Sequence, residues 1–138
     1  MDSQTVITIV ILLLICLLFF VAYTNSKRVP EKKKDKIYEK LEDVRKQLDS
    51  HEVYARRDAI IKLDNLLGRA LNLRYNNDSS FSENLKYGKK LFTKSEYQQI
   101  WDIHKKRNEI VHEDADISSS ETDSAYKIYK IAIRRVLK

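Results

Sequence analysis

The fold class this sequence predicts is all-α: an N-terminal transmembrane helix followed by an antiparallel four-helix-type bundle. Three observations lead there. Residues 6–23 read VITIVILLLICLLFFVAY, with no charge, Gly or Pro. Beyond them, a capping residue followed three positions later by Glu recurs ahead of apolar runs at helical spacing, as Asp49…Glu52, Ser80…Glu83, Thr93…Glu96 and Ser118…Glu121. In such a capping box the cap side chain accepts from the N3 backbone N–H, and the Glu accepts from the cap N–H, so two donors that a helix start leaves orphaned are satisfied together. Lastly, no segment reads as a strand, and two glycines with one proline in 138 residues leave little turn chemistry for hairpins.

The apolar run comes first. Its eighteen residues reach roughly 27 Å as a helix, enough for a hydrocarbon core. A cleaved signal peptide is the rival reading. It would carry a positive n-region, a shorter apolar core and a small-x-small exit, whereas this chain begins MDSQT and leaves the run through AYTNSKR. An uncleaved anchor over residues 1–24 is therefore expected. Lys27, Arg28, Lys32, Lys33, Lys34 and Lys36 all follow the span and no basic residue precedes it. The positive-inside rule then makes this a single-pass protein of the inner or plasma membrane with its C-terminal domain in the cytoplasm. The same cations form a surface for anionic headgroups. Asn77-Asp78-Ser79 has the form of a glycosylation sequon, which a cytoplasmic location makes inert. Cys16, the only cysteine, lies inside the span, which excludes a disulfide framework and a thiolate metal site. Three scattered histidines have no zinc spacing, and His51 reads as a surface residue. No cofactor or metal is indicated.

Residues 25–49 read as a basic juxtamembrane linker and a stalk helix. The linker, around Pro30, runs over 24–36; from Asp35 to Asp49, Ile37, Leu41, Val44 and Leu48 recur at helical spacing opposite a charged face. Two heptads are too few to argue a coiled coil. The bundle proper is expected over 50–138, with helices at about 50–74, 81–90, 94–112 and 119–137. The first carries Ile60, Leu63, Leu67, Ala70 and Leu71 on one stripe. The second carries Phe81 and Leu85, with Leu91 behind them. The third carries Tyr97, Ile100, Trp101, His104 and Val111, and the fourth Ala125, Ile128, Tyr129, Ala132 and Val136. Trp101 reads as a core or interface anchor. Tyr75, Tyr87 and Tyr97 offer faces on which bases stack, although scattered aromatics on bundle helices usually serve packing. The net charge of +6 is compatible with a nucleic-acid partner without requiring one.

The stretch KKRNEIVHEDAD (105–116) breaks this pattern, because His104 and Arg107 or Asn108 fall where the apolar stripe of the third helix should continue. Asn108 and His112 stack four residues apart, while Arg107 lies about 140° round the helix from His112. One reading is phosphodiester chemistry without a metal. A His that titrates near neutrality takes the proton from a ribose 2′-hydroxyl, an Arg grips the phosphate, and Asn orients one of them. The other reading is a helix end turning polar, with Arg107 snorkelling and His112 complementing the helix dipole. The bare spacing does not separate the two.

R-N-x-x-x-H at the end of the third bundle helix resembles the signature of the HEPN superfamily. These are all-α domains, many of them metal-independent endoribonucleases of toxin, CRISPR and other defence systems. Their signature is Arg, a polar residue that is often Asn, a few spacers, then His. Arg107, Asn108 and His112 match it position by position. RDAIIKLDNLLGRAL (57–71), and LKYGKKLF followed by YQQIWDIHKKRNEIVHE, resemble segments of small bacterial HEPN-like proteins. The resemblance covers about residues 50–138 and excludes the anchor and stalk. It implies a homodimer in which two Arg/His motifs meet across a two-fold axis to form one cleft, and RNA as the substrate. Asp64, on the first bundle helix, is a candidate to hold Arg107 or His104.

Two functions follow from these residues: a membrane-anchored, HEPN-like, metal-independent endoribonuclease of a defence or stress system, or a non-catalytic membrane-anchored module that dimerises or recruits a protein partner the sequence does not identify. An open groove at Arg107, Asn108 and His112 favours the first, and internal satisfaction of those side chains the second. The capping boxes specify a folded domain and argue against a mere amphipathic membrane peptide.

Overall fold

Six α-helices and one 3-10 turn make up the computed structural model, which describes residues 1–26, 28–50 and 52–138. Lys27 of the basic cluster and His51, read as a surface residue, lie outside the described residues. The helices are α1 (Ser3–Ser26), α2 (Glu31–Gln47), α3 (Val53–Tyr75), α4 (Phe81–Tyr87), α5 (Lys94–Glu113) and α6 (Ser119–Val136), with the 3-10 turn at Lys89–Leu91 between α4 and α5. There is no strand among the described residues. α1 buries none of its side chains and is long and apolar enough to cross a membrane.

Cross-links between helices fix the direction of each. Gln47, ending α2, donates to Ala55 and Asp58 near the start of α3, so α2 and α3 run antiparallel. Arg57 of α3 donates to the Ile110 carbonyl and pairs with Asp114, while Asp64 meets His104; α3 and α5 are antiparallel too. Arg135, near the end of α6, pairs with Glu96 in the first turn of α5. Arg56–Ile117, Asp64–Tyr129 and Arg74–Val136 ascend together, so α3 and α6 form the parallel pair of an up-down-up-down bundle. α3 is the hub: it packs against α2, α4, α5 and α6.

The interior follows the apolar stripes. Ile60, Leu63, Leu67, Ala70 and Leu71 of α3, Leu85 of α4, Ile100 of α5, and Ala125, Tyr129, Ala132, Ile133 and Val136 of α6 are buried together. Three of the four expected capping boxes form, at Ser80/Glu83, Thr93/Glu96 and Ser118/Glu121. Helix ends use residues that tolerate positive φ without a glycine: Asn76 (φ 49°) closes α3 and Asp114 (φ 55°) closes α5. The loop after α3 is held by a reciprocal amide pair. Asn84 is buried; it donates to Asn77 Oδ1 at 2.8 Å and accepts from Asn77 Nδ2 at 2.9 Å. That pair takes up the sequon asparagine.

Four expectations need correction. The Asp49…Glu52 box does not form. α2 runs to Gln47, the turn consumes the residues that follow, and α3 starts at Val53 with Glu52 as an N-cap that makes no side-chain bond. Residues 25–49 are not a linker and a separate stalk. α2 begins directly after Pro30, which suits a helix start because its missing N–H has no intrahelical partner there, and it carries Lys32, Lys33, Lys34 and Lys36 on helix rather than on linker. Val29, Ile37, Leu41 and Val44 join the same core as α3. The second bundle helix ends at Tyr87, with the Lys89–Leu91 turn replacing its last residues. Val111 is 44% exposed, and Ile110, 3% exposed, is the core residue of that turn. The buried Ile117 of the α5–α6 loop fills that end of the core alongside Ile110 and leaves Val111 outside.

Candidate functional site

α5 brings the polar residues of KKRNEIVHEDAD against α3 and α6. The Thr93 capping box fixes where the helix starts, and Ile100 and Ile110 bury its inner face. Between those two apolar residues the inward face presents His104 and Arg107. Asp64, the one buried charged residue among the described residues, lies opposite them.

The Asp64 carboxylate collects three partners. His104 Nδ1 lies 3.0 Å from Oδ1 and 3.1 Å from Oδ2. The Tyr129 hydroxyl donates to Oδ1 at 2.7 Å. Arg107 Nε forms an ion pair with Oδ2 at 3.8 Å. A carboxylate only accepts, so the imidazole hydrogen bonded to it sits on Nδ1. Burial and the neighbouring Asp64 charge hold the Tyr129 phenol well above its usual range. The His104 ring has two aromatic neighbours. It stacks on Phe81 with centroids 4.3 Å apart at 11°, and meets the Trp101 edge at 5.9 Å.

Arg107 is only partly held. Its Nη1 donates to Asn108 Oδ1 at 3.1 Å. At 3.8 Å its Nε is beyond hydrogen-bond range of Asp64, and it is a buried nitrogen with no hydrogen-bond partner. A quarter of the side chain remains exposed. Asn108 is half-buried beside it. His112 lies in the last turn of α5, two residues before the Asp114 cap, and is exposed. Asp64, His104, Arg107 and Asn108 are thus in one contiguous network, and Asp64 touches both residues it was a candidate to hold. His112 stands outside that network, on the surface. The cleft between α5 and α6, floored by Ile103, Ile117, Ala125 and Ile128, is lined by other residues.

No model of a known protein family matches this chain, and it is similar to no curated protein and no solved structure. The chemistry of the site therefore rests on its own geometry. Tyr129 is the member that sequence reasoning missed. At its position in the α6 stripe it looks like an ordinary core aromatic, and nothing local reveals that its hydroxyl reaches a carboxylate sixty-five residues away. Phe81 was likewise read as core and is also the stacking partner of His104. Of the tyrosines considered as base-stacking platforms, Tyr75 packs edge-on against Tyr87 and Tyr97 against Trp101, while Tyr87 itself remains largely exposed.

Of the basic cluster, Arg28, Lys32, Lys33 and Lys36 are exposed, while Lys34 pairs with Glu31 at 2.7 Å. The two ends of the bundle differ. At one, Ser26, Arg28 and Val29 share a cavity with Arg74, Tyr75, Leu137 and Lys138, so this is the end where α1 joins. At the other, Arg57, Ile110, Asp114 and Ile117 converge. His112 belongs to this second end, away from α1.

Proposed function

We propose that the chain is a membrane-anchored, HEPN-like endoribonuclease that works without a metal, its helical domain facing the cytoplasm. The observation that carries this reading is the state of Arg107. One edge of its guanidinium is steered by Asp64 and Asn108, its hydrogen bonding is incomplete, and the exposed His112 follows five residues later on the same helix. A quarter-exposed guanidinium with incomplete hydrogen bonding suits a phosphate, whose oxygens take a guanidinium bidentately. In the step envisaged, His112 removes the proton of a ribose 2′-hydroxyl. That oxygen displaces the 5′-oxygen at phosphorus, and the leaving oxygen takes a proton from solvent. The products are a cyclic phosphate and a 5′-hydroxyl, and Arg107 stabilises the charge that builds on phosphorus. A second copy of the chain, related by a two-fold axis, would complete the cleft.

A second reading is favoured by a different observation. The contacts of Asp64 with His104 and Tyr129 are internal, as expected of a domain that only dimerises or recruits a partner at the membrane.

The two separate in one experiment. The full chain in detergent micelles is incubated with mixed cellular RNA in EDTA, beside His112→Ala and Arg107→Lys. Cleavage leaving cyclic-phosphate ends, absent in His112→Ala and strongly reduced in Arg107→Lys, is the expected result. No cleavage, or equal cleavage by all three, overturns the catalytic reading in favour of the interaction module.

A further inference from the structure

The second, unrelated feature is electrostatic. Because α2 and α3 are antiparallel, Lys33, Lys36 and Lys40 come to face Arg69 across a cleft of about 450 Å³. That volume lies in the range of small-ligand sites. Asn72, Asn76 and Asn77 add amides to its wall, and Asp78 is the one acid lining it. Among the described residues, none of these four cations has an acid within ion-pair distance, in contrast to Lys34, Lys46 and Lys62 nearby. Like charges gathered without a counter-ion repel one another, so the cleft is built at an energetic cost that an anion would relieve.

Its position says which anion. Lys33 follows the end of α1 at Ser26 by only seven residues, so the chain cannot carry it more than roughly 25 Å from there. A second cavity at the same end adds Arg28, Arg74 and Lys138. Cations this close to a bilayer meet its headgroups at the high local concentration that tethering creates. Nucleic acid fits less well, because no aromatic side chain lines the cleft and single strands are held largely by stacking on such rings.

We propose that the α2–α3 cleft binds the phosphate headgroup of an anionic membrane lipid, with Arg69 as the bidentate ligand and Lys33, Lys36 and Lys40 as surrounding charge. Lipid bound there seats the bundle on the bilayer with the Arg107–His112 end pointing away from it. The proposal rests on α1 being a membrane anchor and is independent of the catalytic reading.

The test uses the full chain, released from mixed micelles holding equal amounts of phosphatidylglycerol and phosphatidylcholine and weighed by native mass spectrometry with its retained lipid. Wild type is expected to retain phosphatidylglycerol preferentially. Arg69→Gln and Lys40→Gln each lower that preference about fivefold, the worth of one cation at an anionic surface. Lys32→Gln, equally close to the membrane but outside the cleft, removes only diffuse surface attraction and lowers the preference clearly less than Arg69→Gln does, and circular dichroism verifies that all variants keep wild-type helicity. Equal retention of both lipids by wild type overturns the proposal. So does a loss in Lys32→Gln as large as that in Arg69→Gln, which would mean diffuse attraction, or displacement of the lipid by a single-stranded RNA oligonucleotide. Glycerol phosphate that displaces the lipid at equal concentration would reassign the cleft to a soluble phosphate and overturn it as well. A chain that stays soluble and monodisperse without detergent would instead remove the anchor itself, so the two failures are distinguishable.

Discussion

The Tyr129 hydroxyl donates to the Asp64 carboxylate at 2.7 Å in the middle of the parallel α3–α6 pair. The same carboxylate holds His104 of α5, so one buried acid joins three helices. Removing one member of such a set leaves the others buried and unsatisfied, which costs more than the interaction itself contributed. Asp64→Ala is expected to lower stability by about 3–5 kcal/mol, and Tyr129→Phe by about 1–3 kcal/mol. Urea unfolding of the full chain in micelles measures both. A loss below 1 kcal/mol in Asp64→Ala would show that the network carries no structural weight.

Tyr129 also gives the bundle an alkaline limit. Burial and the Asp64 charge raise its folded-state pKa well above 10, while the unfolded phenol titrates near 10. The folded state therefore keeps a proton that the unfolded state loses. Stability from this source is complete below about pH 10 and falls as pH rises further, by at most about 1.4 kcal/mol per pH unit for one group. Burial raises Tyr75 and Tyr126 in the same direction. Tyr129→Phe should flatten the alkaline limb in part, read as the unfolding midpoint between pH 8 and 11; an unchanged slope would assign it to the other two tyrosines.

The acid limit comes from the helix starts. The Ser80 N–H and hydroxyl lower Glu83, and the Ser118 hydroxyl and N–H lower Glu121. Burial of Asp58 is outweighed by hydrogen bonds from Lys62 and Gln47, which lower it too. A depressed carboxylate contributes stability that is present above its unfolded pKa, about 4.3 for Glu, and lost as pH falls through the lower folded value. Glu83→Gln with Glu121→Gln keeps the capping geometry without the charge. The double variant is expected to show a shallower loss of helicity below pH 4.5 than wild type, followed by circular dichroism.

The capping boxes are also where the sequence was most legible. Ser80, Thr93 and Ser118 announce helix starts through contacts three residues long, and local chemistry decides them. Asp49…Glu52 carries the same pattern and fails, because whether a helix starts there depends on how far α2 extends, which is settled by packing on α3. The stripes of α3 and α6 were legible because each helix lies at the centre of the bundle and buries a continuous face. α5 was harder, since the side it buries shifts along its length and places Ile110, not Val111, inside. Of the site, Asp64 was legible only as a candidate partner for Arg107 or His104 on the first bundle helix, whereas Tyr129 and the α2–α3 cleft depend on residues brought together only by the fold.

α2 is part of the bundle, and its deletion should be felt there. Leu41 is 3% exposed and Leu67 fully buried, in one core. If α2 only linked the anchor to an independent domain, Leu41→Ala would be silent. Packed as it is, the substitution leaves a cavity and should cost about 2–5 kcal/mol, the range for a buried Leu, as Leu67→Ala should. Chemical denaturation of the two variants checks this, and a Leu41→Ala change under 0.5 kcal/mol would return α2 to the role of a tether.

Arg107 and His112 should part company when stability and activity are measured together. His112 is exposed in the last turn of α5, so His112→Ala touches only the helix dipole and should change stability by less than about 1 kcal/mol. Arg107 lies against buried Asp64 at 3.8 Å. Its removal leaves that carboxylate with one cationic neighbour fewer, and the loss should shrink when Asp64 is already Asn, because contacting residues are not additive. A double-mutant cycle on Asp64→Asn and Arg107→Ala, read by urea unfolding, is expected to give a coupling of at least about 0.5 kcal/mol. If RNA cleavage disappears in His112→Ala while its stability stays at wild type, His112 acts on substrate rather than on the fold. If stability falls as far as activity, the exposed histidine is a helix cap, and its loss explains nothing about chemistry.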